Sequence, residues 1–133
     1  MSQENVEVVR RTLEAVSDRD ADVLSSYISA DMEWEPAGPA AVEGAVYRGR
    51  GQVTGAMAEI WKTWEVFRFE ETQVRDLGES ILWLGRVHVK GSASHLELDQ
   101  EFANHVEVRD GKVVRAKAFL AWREAFEAVG LGE

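Results

Sequence analysis

Residues 100–120, QEFANHVEVRDGKVVRAKAFL, contain two strand-like segments separated by Arg109-Asp110-Gly111-Lys112. Hairpins commonly use either a two-residue turn or a three-residue turn with a glycine bulge. A two-residue turn at Asp110-Gly111 would place Asn104 on the same face as Lys117. A three-residue turn, with Gly111 in the left-handed conformation, separates the apolar from the charged side chains, as a sheet with one buried face requires. We therefore predict the three-residue turn.

The predicted hairpin has one apolar face and one charged face, and Asn104 is the single polar side chain on the apolar one. The apolar face carries Phe102, Asn104, Val106, Val114, Ala116, Ala118 and Leu120. The charged face carries Glu101, His105, Glu107, Arg115 and Lys117. Because one face of a strand alternates with the other, this division predicts which residues line the interior.

Composition indicates one domain spanning residues 1–133, long enough to bury roughly two thirds of its unfolded surface. The sequence has no cysteine, which excludes disulfides and thiolate metal sites. It has no apolar run near the ~20 residues of a membrane span and no signal-peptide pattern, so we expect a cytoplasmic protein without a membrane partner. The net charge of −9 argues against a nucleic-acid partner.

Apolar periodicity predicts four helices. The first starts at Ser2 and ends near residues 17–19, and the second is capped by Asp20. The third starts at Gln52, and the last runs from Trp122 to a left-handed Gly130. The buried stripe of the second helix is predicted as Val23, Leu24, Tyr27 and Ile28, and that of the third as Val53, Met57, Ile60, Trp61 and Trp64.

The remaining segments alternate with a period of two and predict strands. A short strand covers residues 32–36, a loop covers 37–51, and a further strand from Val66 leads through a turn at 76–79 into a strand at 81–90. Together with the hairpin they predict an α+β fold, a curved, mixed but mainly antiparallel sheet with the helices on one face. On the outer face, the cations Arg86, His88 and Lys90 are expected to pair with the carboxylates Glu97, Asp99 and Glu101.

Five short segments carry a family resemblance that covers nearly the whole chain. They are residues 27–31 (YISAD), 34–36 (WEP), 47–49 (YRG), 109–114 (RDGKVV) and 123–131 (REAFEAVGL). In this order they resemble the SnoaL-like branch of the nuclear transport factor 2-like superfamily. The resemblance implies a cone, in which a bent sheet wraps a long helix around a deep apolar pocket, and a homodimer formed through the outer sheet face. The superfamily contains isomerases, polyketide cyclases, epoxide hydrolases and non-catalytic binding proteins.

The chain is similar in layout to ketosteroid isomerase, and that similarity implies two catalytic positions. The base of that family precedes a proline at the end of the first strand, where Glu35-Pro36 stands here. Its oxyanion hole uses an Asp-His pair on the penultimate strand, where Asn104-His105 stands here. A tyrosine donor on the first helix has no counterpart, since Thr12 occupies the matching place.

Glu35 has two possible orientations. Counting from Pro36 places Glu35 in the pocket, whereas counting from Asp31 places Trp34 there and turns Glu35 outward. In an apolar pocket the pKa of Glu35 would rise, and the carboxylate would act as a general base. The alternative is a solvated carboxylate at a strand end.

Asn104 could polarise a ligand carbonyl through its amide, or it could be a structural residue satisfied by a neighbouring backbone group or by water. The predicted pocket walls are Trp34, Met57, Trp61, Trp64, Phe102, Val106, Ala118 and Leu120. The tryptophans alone could equally be ordinary core. The histidines show no metal-ligand spacing, so we predict neither a metal nor a cofactor.

The function predicted from the sequence is a cofactor-independent isomerase, cyclase or hydratase (or hydrolase) acting on a small apolar carbonyl compound, with Glu35 and Asn104 as catalytic residues. The alternative is a non-catalytic ligand-binding or dimerisation module.

Overall fold

A computed structural model describes residues 2–38 and 44–131 of the chain. Its elements, in chain order, are α1 (Ser2–Asp18), α2 (Ala21–Tyr27), β1 (Ile28–Glu35), β2 (Tyr47–Arg48), α3 (Arg50–Thr63), β3 (Trp64–Asp76), β4 (Ser80–Gly91), β5 (Glu97–Arg109), β6 (Lys112–Phe119) and α4 (Trp122–Ala128). No helix among these residues is long and apolar enough to cross a membrane.

The strands form one six-stranded sheet in the order β2-β1-β6-β5-β4-β3. Neighbouring strands are antiparallel except β1 and β6, which are parallel. One face, called the inner face below, packs against α1, α2 and α3 through a core that includes Val9, Leu24 and Met57. The predicted mixed, mainly antiparallel α+β fold is therefore confirmed.

The predicted three-residue turn is wrong. Arg109 pairs with Lys112, so Asp110 and Gly111 alone form the turn between β5 and β6. Both residues have positive φ, 53° for Asp110 and 75° for Gly111, as a type I′ turn requires. Asp tolerates the left-handed region better than most residues, which explains why the tighter turn is accessible here.

A bulge in β6 supplies the extra residue that the turn lacks. The pairing shifts between Val108–Val113 and Glu107–Arg115, which leaves Val114 without a partner. Beyond this bulge Asn104 pairs with Ala118, so the predicted face is recovered by a different route. Val114 was predicted on the inner face, but Val113 takes the inward position instead and is 1% exposed.

Several predicted element boundaries, and one predicted buried side chain, differ from the structure. The strand expected from residue 32 begins at Ile28, where β1 first pairs with β6. Trp64 starts β3 instead of extending α3, which itself begins at Arg50. Val23, placed on the buried stripe of α2, is 39% exposed. The predicted loop at 37–51 contains the short strand β2, and its residues 39–43 lie outside the described part of the chain.

The terminal helix α4 packs on the opposite, outer face of the sheet, so the prediction that all helices lie on one face is wrong. Ala125 and Phe126 cover Leu82, Leu84 and Ala103, which are fully buried. The helix ends as predicted at Gly130, whose φ is 77°. The amides of Gly130 and Leu131 bond back to the carbonyls of Glu127 and Phe126, the two bonds of a Schellman motif.

The rest of the outer face carries ion pairs. Arg86 Nε lies 2.6 Å from Asp99 Oδ1, and His88 bridges Asp99 and Glu70 with both contacts at 2.9 Å. The predicted pairing of β4 cations with Asp99 is therefore confirmed. The predicted pairing is wrong for Glu97 and Glu101. Lys90, expected to pair with one of them, instead lies 3.4 Å from Glu65 of β3. Glu101 accepts a hydrogen bond from the backbone N–H of Trp122.

Candidate functional site

A cavity lies between the inner face of the sheet and helices α1, α2 and α3. It measures about 100 Å³, counted as the space that the centres of water molecules can reach. Since one water needs roughly 10–15 Å³ of such space, the cavity can hold several waters or an organic molecule of about two rings. Its aromatic walls are Trp34, Trp64, Phe67, Phe69 and Phe102.

The predicted wall residues other than Trp61 all border this cavity, namely Trp34, Met57, Trp64, Phe102, Val106, Ala118 and Leu120. Trp61 does not border the cavity, contrary to the prediction. Its indole Nε1 donates to the carbonyl of Val16 at 3.0 Å, so the side chain links α3 to α1. The phenylalanines pack on one another, with ring centroids of Phe69 and Phe102 5.2 Å apart. Phe67 and Phe69, both missed as wall residues, share the inward parity of β3 that the sequence already shows.

Glu35 lies outside the cavity, which contradicts its predicted place beside a bound ligand. In the parallel β1–β6 pair, Trp34 stands opposite the inward-facing Ala116, and Glu35 stands opposite Lys117 on the outer face. Glu35 Oε2 lies 3.6 Å from Lys117 Nζ, and its side chain is 35% exposed. The alternative that places Trp34 in the cavity is the one the structure adopts.

The cavity wall contains no titratable side chain among the described residues. Its non-aromatic polar side chains there are Thr12, Gln100 and Asn104. The Thr12 hydroxyl donates to the carbonyl of Val8 at 2.7 Å, a bond within α1. In the same part of the chain no three His, Asp or Glu side chains lie close enough to hold a metal ion. The Gln100 and Asn104 amides are thus the non-aromatic polar side chains of the described wall that have no protein hydrogen-bond partner.

Asn104 is the buried polar residue of the described core, at 6% exposure. Within residues 2–38 and 44–131, no hydrogen bond involves its side-chain amide, which opens onto the cavity instead. Buried amides without protein partners are uncommon because the lost hydrogen bonds to water are costly. A neighbouring backbone group as the partner of Asn104 is therefore not what the described residues show.

Replacing this amide by an isosteric apolar group should stabilise the free protein. We expect Asn104→Leu to raise the free energy of unfolding by about 1 kcal/mol, because the variant replaces an amide without a protein hydrogen-bond partner by an apolar group that matches the apolar wall. Urea unfolding measures the change. Thr12→Val is the matched control, since that polar group already has a partner and its loss should bring no gain. Destabilisation of Asn104→Leu by more than about 1 kcal/mol would identify Asn104 as a structural residue.

His105, next to Asn104, points to the outer face, where its Nε2 lies 2.8 Å from the Ser80 hydroxyl. Burial lowers the pKa of His105, with Glu107 opposing the shift and Arg115 adding to it. A lowered pKa means that the unfolded chain binds the proton more readily. The histidine therefore contributes stability above about pH 6.5, the ordinary His value, and loses it as the pH falls through that value toward the lowered pKa.

This linkage predicts a pH-dependent difference between the protein and a variant that cannot titrate. Between pH 7.5 and pH 5, the free energy of unfolding of the wild type should fall more than that of His105→Gln. Urea unfolding of both proteins at the two pH values measures the difference, which also cancels the contribution of other groups. Parallel pH profiles would contradict the lowered pKa.

Comparison with solved structures shows the same fold in several proteins. TerC, co-crystallized with polyporic acid, matches with a TM-score of 0.76 and 20% identity, covering 96% of this chain and 98% of that one. A protein of ketosteroid isomerase-like fold from Catenulispora acidiphila, in complex with trimethylamine, gives 0.77 and 16%, covering 95% and 94%. A putative polyketide cyclase from Sinorhizobium meliloti gives 0.72 and 19%, covering 90% and 99%.

No curated protein matches the chain significantly. The family model of the SnoaL-like domain matches residues 9–116. This span includes most of the residues that line the cavity, from Val9 of α1 to Ala116 of β6, and the wall residues Ala118 and Leu120 follow it. The chain therefore belongs to the SnoaL-like domain family.

Proposed function

We propose that the protein binds a small, uncharged and largely apolar molecule in its inner cavity. The observation that carries this proposal is the composition of the described wall, which combines aromatic and aliphatic side chains with no titratable group. The Asn104 amide supplies a hydrogen bond to a carbonyl or hydroxyl group of the ligand. Such a pocket, mainly apolar with a few placed polar groups, is typical of small-molecule sites.

Burial of apolar ligand surface drives binding at roughly 25 cal/mol per Å². The same environment opposes an ionised ligand, because a charge moved from water into an apolar cavity without a partner costs several kcal/mol. Solved structures of the same fold with polyporic acid in one case and trimethylamine in another support small-molecule binding as a use of this fold.

Binding is preferred here over isomerase, cyclase or hydratase chemistry because proton transfer needs a base beside the ligand. Glu35 faces away and lies near Lys117, and the described cavity wall has no other carboxylate or histidine in its place. Homodimerisation through the outer face and a cytoplasmic location stay predictions. On that face α4 covers Leu82, Leu84 and Ala103, so a dimer through the outer face would contact α4 itself or the strands beside it.

Titration with 2-naphthol, followed by its fluorescence, tests the proposal. We expect saturable one-to-one binding to the wild type and at least a tenfold loss of affinity in Ala118→Leu, whose added side chain fills the cavity. Ala58→Leu is the matched control, because Ala58 is exposed on α3 and borders no part of the cavity. Circular dichroism confirms that each variant is folded. Equal affinity in all three proteins would place the binding elsewhere and overturn the proposal.

A second experiment separates binding from catalysis. In D₂O, exchange of the α-protons of 2-tetralone reports any base that acts inside the cavity. We expect the protein to leave the exchange rate at its buffer value. Accelerated exchange that Glu35→Gln abolishes would replace the binding proposal by proton transfer from the ketone to the Glu35 carboxylate.

A further inference from the structure

We infer that Gln100 forms a second polar subsite at the outer end of the cavity, and that the ligand is a flat, neutral molecule with a hydrogen-bonding group at each end. This inference rests on the proposed function and specifies the ligand class of the same site. It follows from where β5 places its two inward-facing amides.

Gln100, Phe102 and Asn104 are alternate residues of β5 and border the same cavity. In the β4–β5 pair, Gln100 stands opposite Val87 and Asn104 opposite Trp83. Residues four apart in a strand have Cα atoms about 13 Å from each other. The two amides are therefore separated along the strand, and the Phe102 ring lies between them as an apolar floor.

The two amides differ in depth. Asn104 is 6% exposed, whereas Gln100 is half-buried. Leu120, which also borders the cavity, is 40% exposed, and the pairing of Ala103 with Phe119 sets it level with Phe102. The side of the cavity near Gln100 and Leu120 is thus the side open to solvent. A ligand held by Asn104 inside extends past Phe102 toward Gln100 at the rim.

The chemistry of both subsites selects neutral groups. A carboxamide offers two donors and one acceptor oxygen, so it can bond a hydroxyl, a carbonyl or another amide without any change of charge. No hydrogen bond joins the Gln100 side chain to another described residue, which leaves both functions available. The charged neighbours on β4, Arg86 and His88, point to the outer face and are engaged with Asp99.

Two probes of one shape test the inference: naphthalene, which has no polar group, and 2,6-dihydroxynaphthalene, which has one at each end. Calorimetric or fluorescence titration gives both dissociation constants for each protein. The ratio of the two constants isolates the hydrogen bonds, because the apolar contribution is shared. One hydrogen bond contributes roughly 0.5–1.5 kcal/mol, so Gln100→Leu and Asn104→Leu should each reduce the preference for the diol by about fivefold.

Gln3→Leu is the matched control, since Gln3 is exposed on α1 and does not border the cavity; it should leave the ratio unchanged. If Gln100→Leu also leaves the ratio unchanged while the wild type binds both probes, Gln100 is a solvated rim residue and the inference is wrong. If the wild type binds neither probe, the proposed function itself fails. A loss of the diol preference in Gln100→Leu, with naphthalene affinity retained, supports the second subsite.

Discussion

Gly85→Ala is expected to lower the free energy of unfolding by about 3 kcal/mol, the upper end of typical overpacking costs. A Cβ atom at Gly85 would lie 2.1 Å from the backbone oxygen of Glu70 and 2.6 Å from Cη2 of Trp83. Neither group can move freely. Glu70 is held in the β3–β4 pairing, and the Trp83 ring is 2% exposed with its Nε1 donating to Glu71. The added methyl group must therefore shift a strand or a buried ring.

Gly55→Ala provides the control for this prediction. Gly55 is exposed within α3, and a Cβ atom there would meet nothing within 4 Å. Because alanine favours a helix over glycine by roughly 0.5–1 kcal/mol, this variant should be slightly more stable than the wild type. Urea unfolding of both variants measures the contrast. A Gly85→Ala protein as stable as the wild type would show that β3 and β4 do not approach as closely as described.

Arg19→Met is expected to cost about 2 kcal/mol, within the range for hydrogen bonds to charged groups after allowance for partial exposure. Arg19 follows α1, and its guanidinium reaches the end of α3. It donates to the carbonyls of Trp61 at 2.6 Å and Glu65 at 2.7 Å, and also to that of Trp64. The carbonyls of Trp61 and Trp64 lie at the C-terminus of α3, where helix carbonyls lack intrahelical partners, so a cation there both bonds them and complements the helix dipole.

Arg11→Met is the matched control for Arg19→Met. Arg11 lies on the exposed side of α1, 3.2 Å from Glu7 one turn away, and such pairs contribute only about 0.3–0.5 kcal/mol. Chemical denaturation of both variants in the same buffer gives the comparison. Equal losses in the two proteins would mean that the Arg19 contacts add nothing beyond an ordinary surface charge.

In the β5–β6 hairpin, the sequence pattern predicts which side chains face inward but not where the bulge lies. The inward set of Phe102, Asn104, Val106, Ala116 and Ala118 could be predicted because a buried face imposes a period of two. The location of the extra residue could not, since a glycine bulge at the turn and a bulge at Val114 give the same faces from Arg115 onward and differ only in which of Val113 and Val114 turns inward. Gln100 shares the inward parity of Asn104, so the sequence already contained the signal for the second amide.

The orientation of Glu35 and the position of α4 depend on contacts between distant parts of the chain, which local sequence patterns do not show. The choice between Glu35 and Trp34 depends on the register of β1 against β6, which are about 80 residues apart in the chain. Local counting from Asp31 or Pro36 could not decide it. The apolar stripe of α4 predicted that the helix is buried without showing on which face. The signal was in β4, where Leu82 and Leu84 share the parity of the charged Arg86 and therefore need a cover on the outer face.

The cavity is expected to accept neutral molecules and to reject ions of the same shape. Paired titrations with 2-naphthamide and 2-naphthoate at pH 7.5 test this expectation most directly, because the two probes differ in charge and hardly in size. We predict that the amide binds about 100-fold more tightly, since an unpaired carboxylate loses several kcal/mol of solvation in the apolar cavity. Equal or tighter binding of 2-naphthoate would contradict the account.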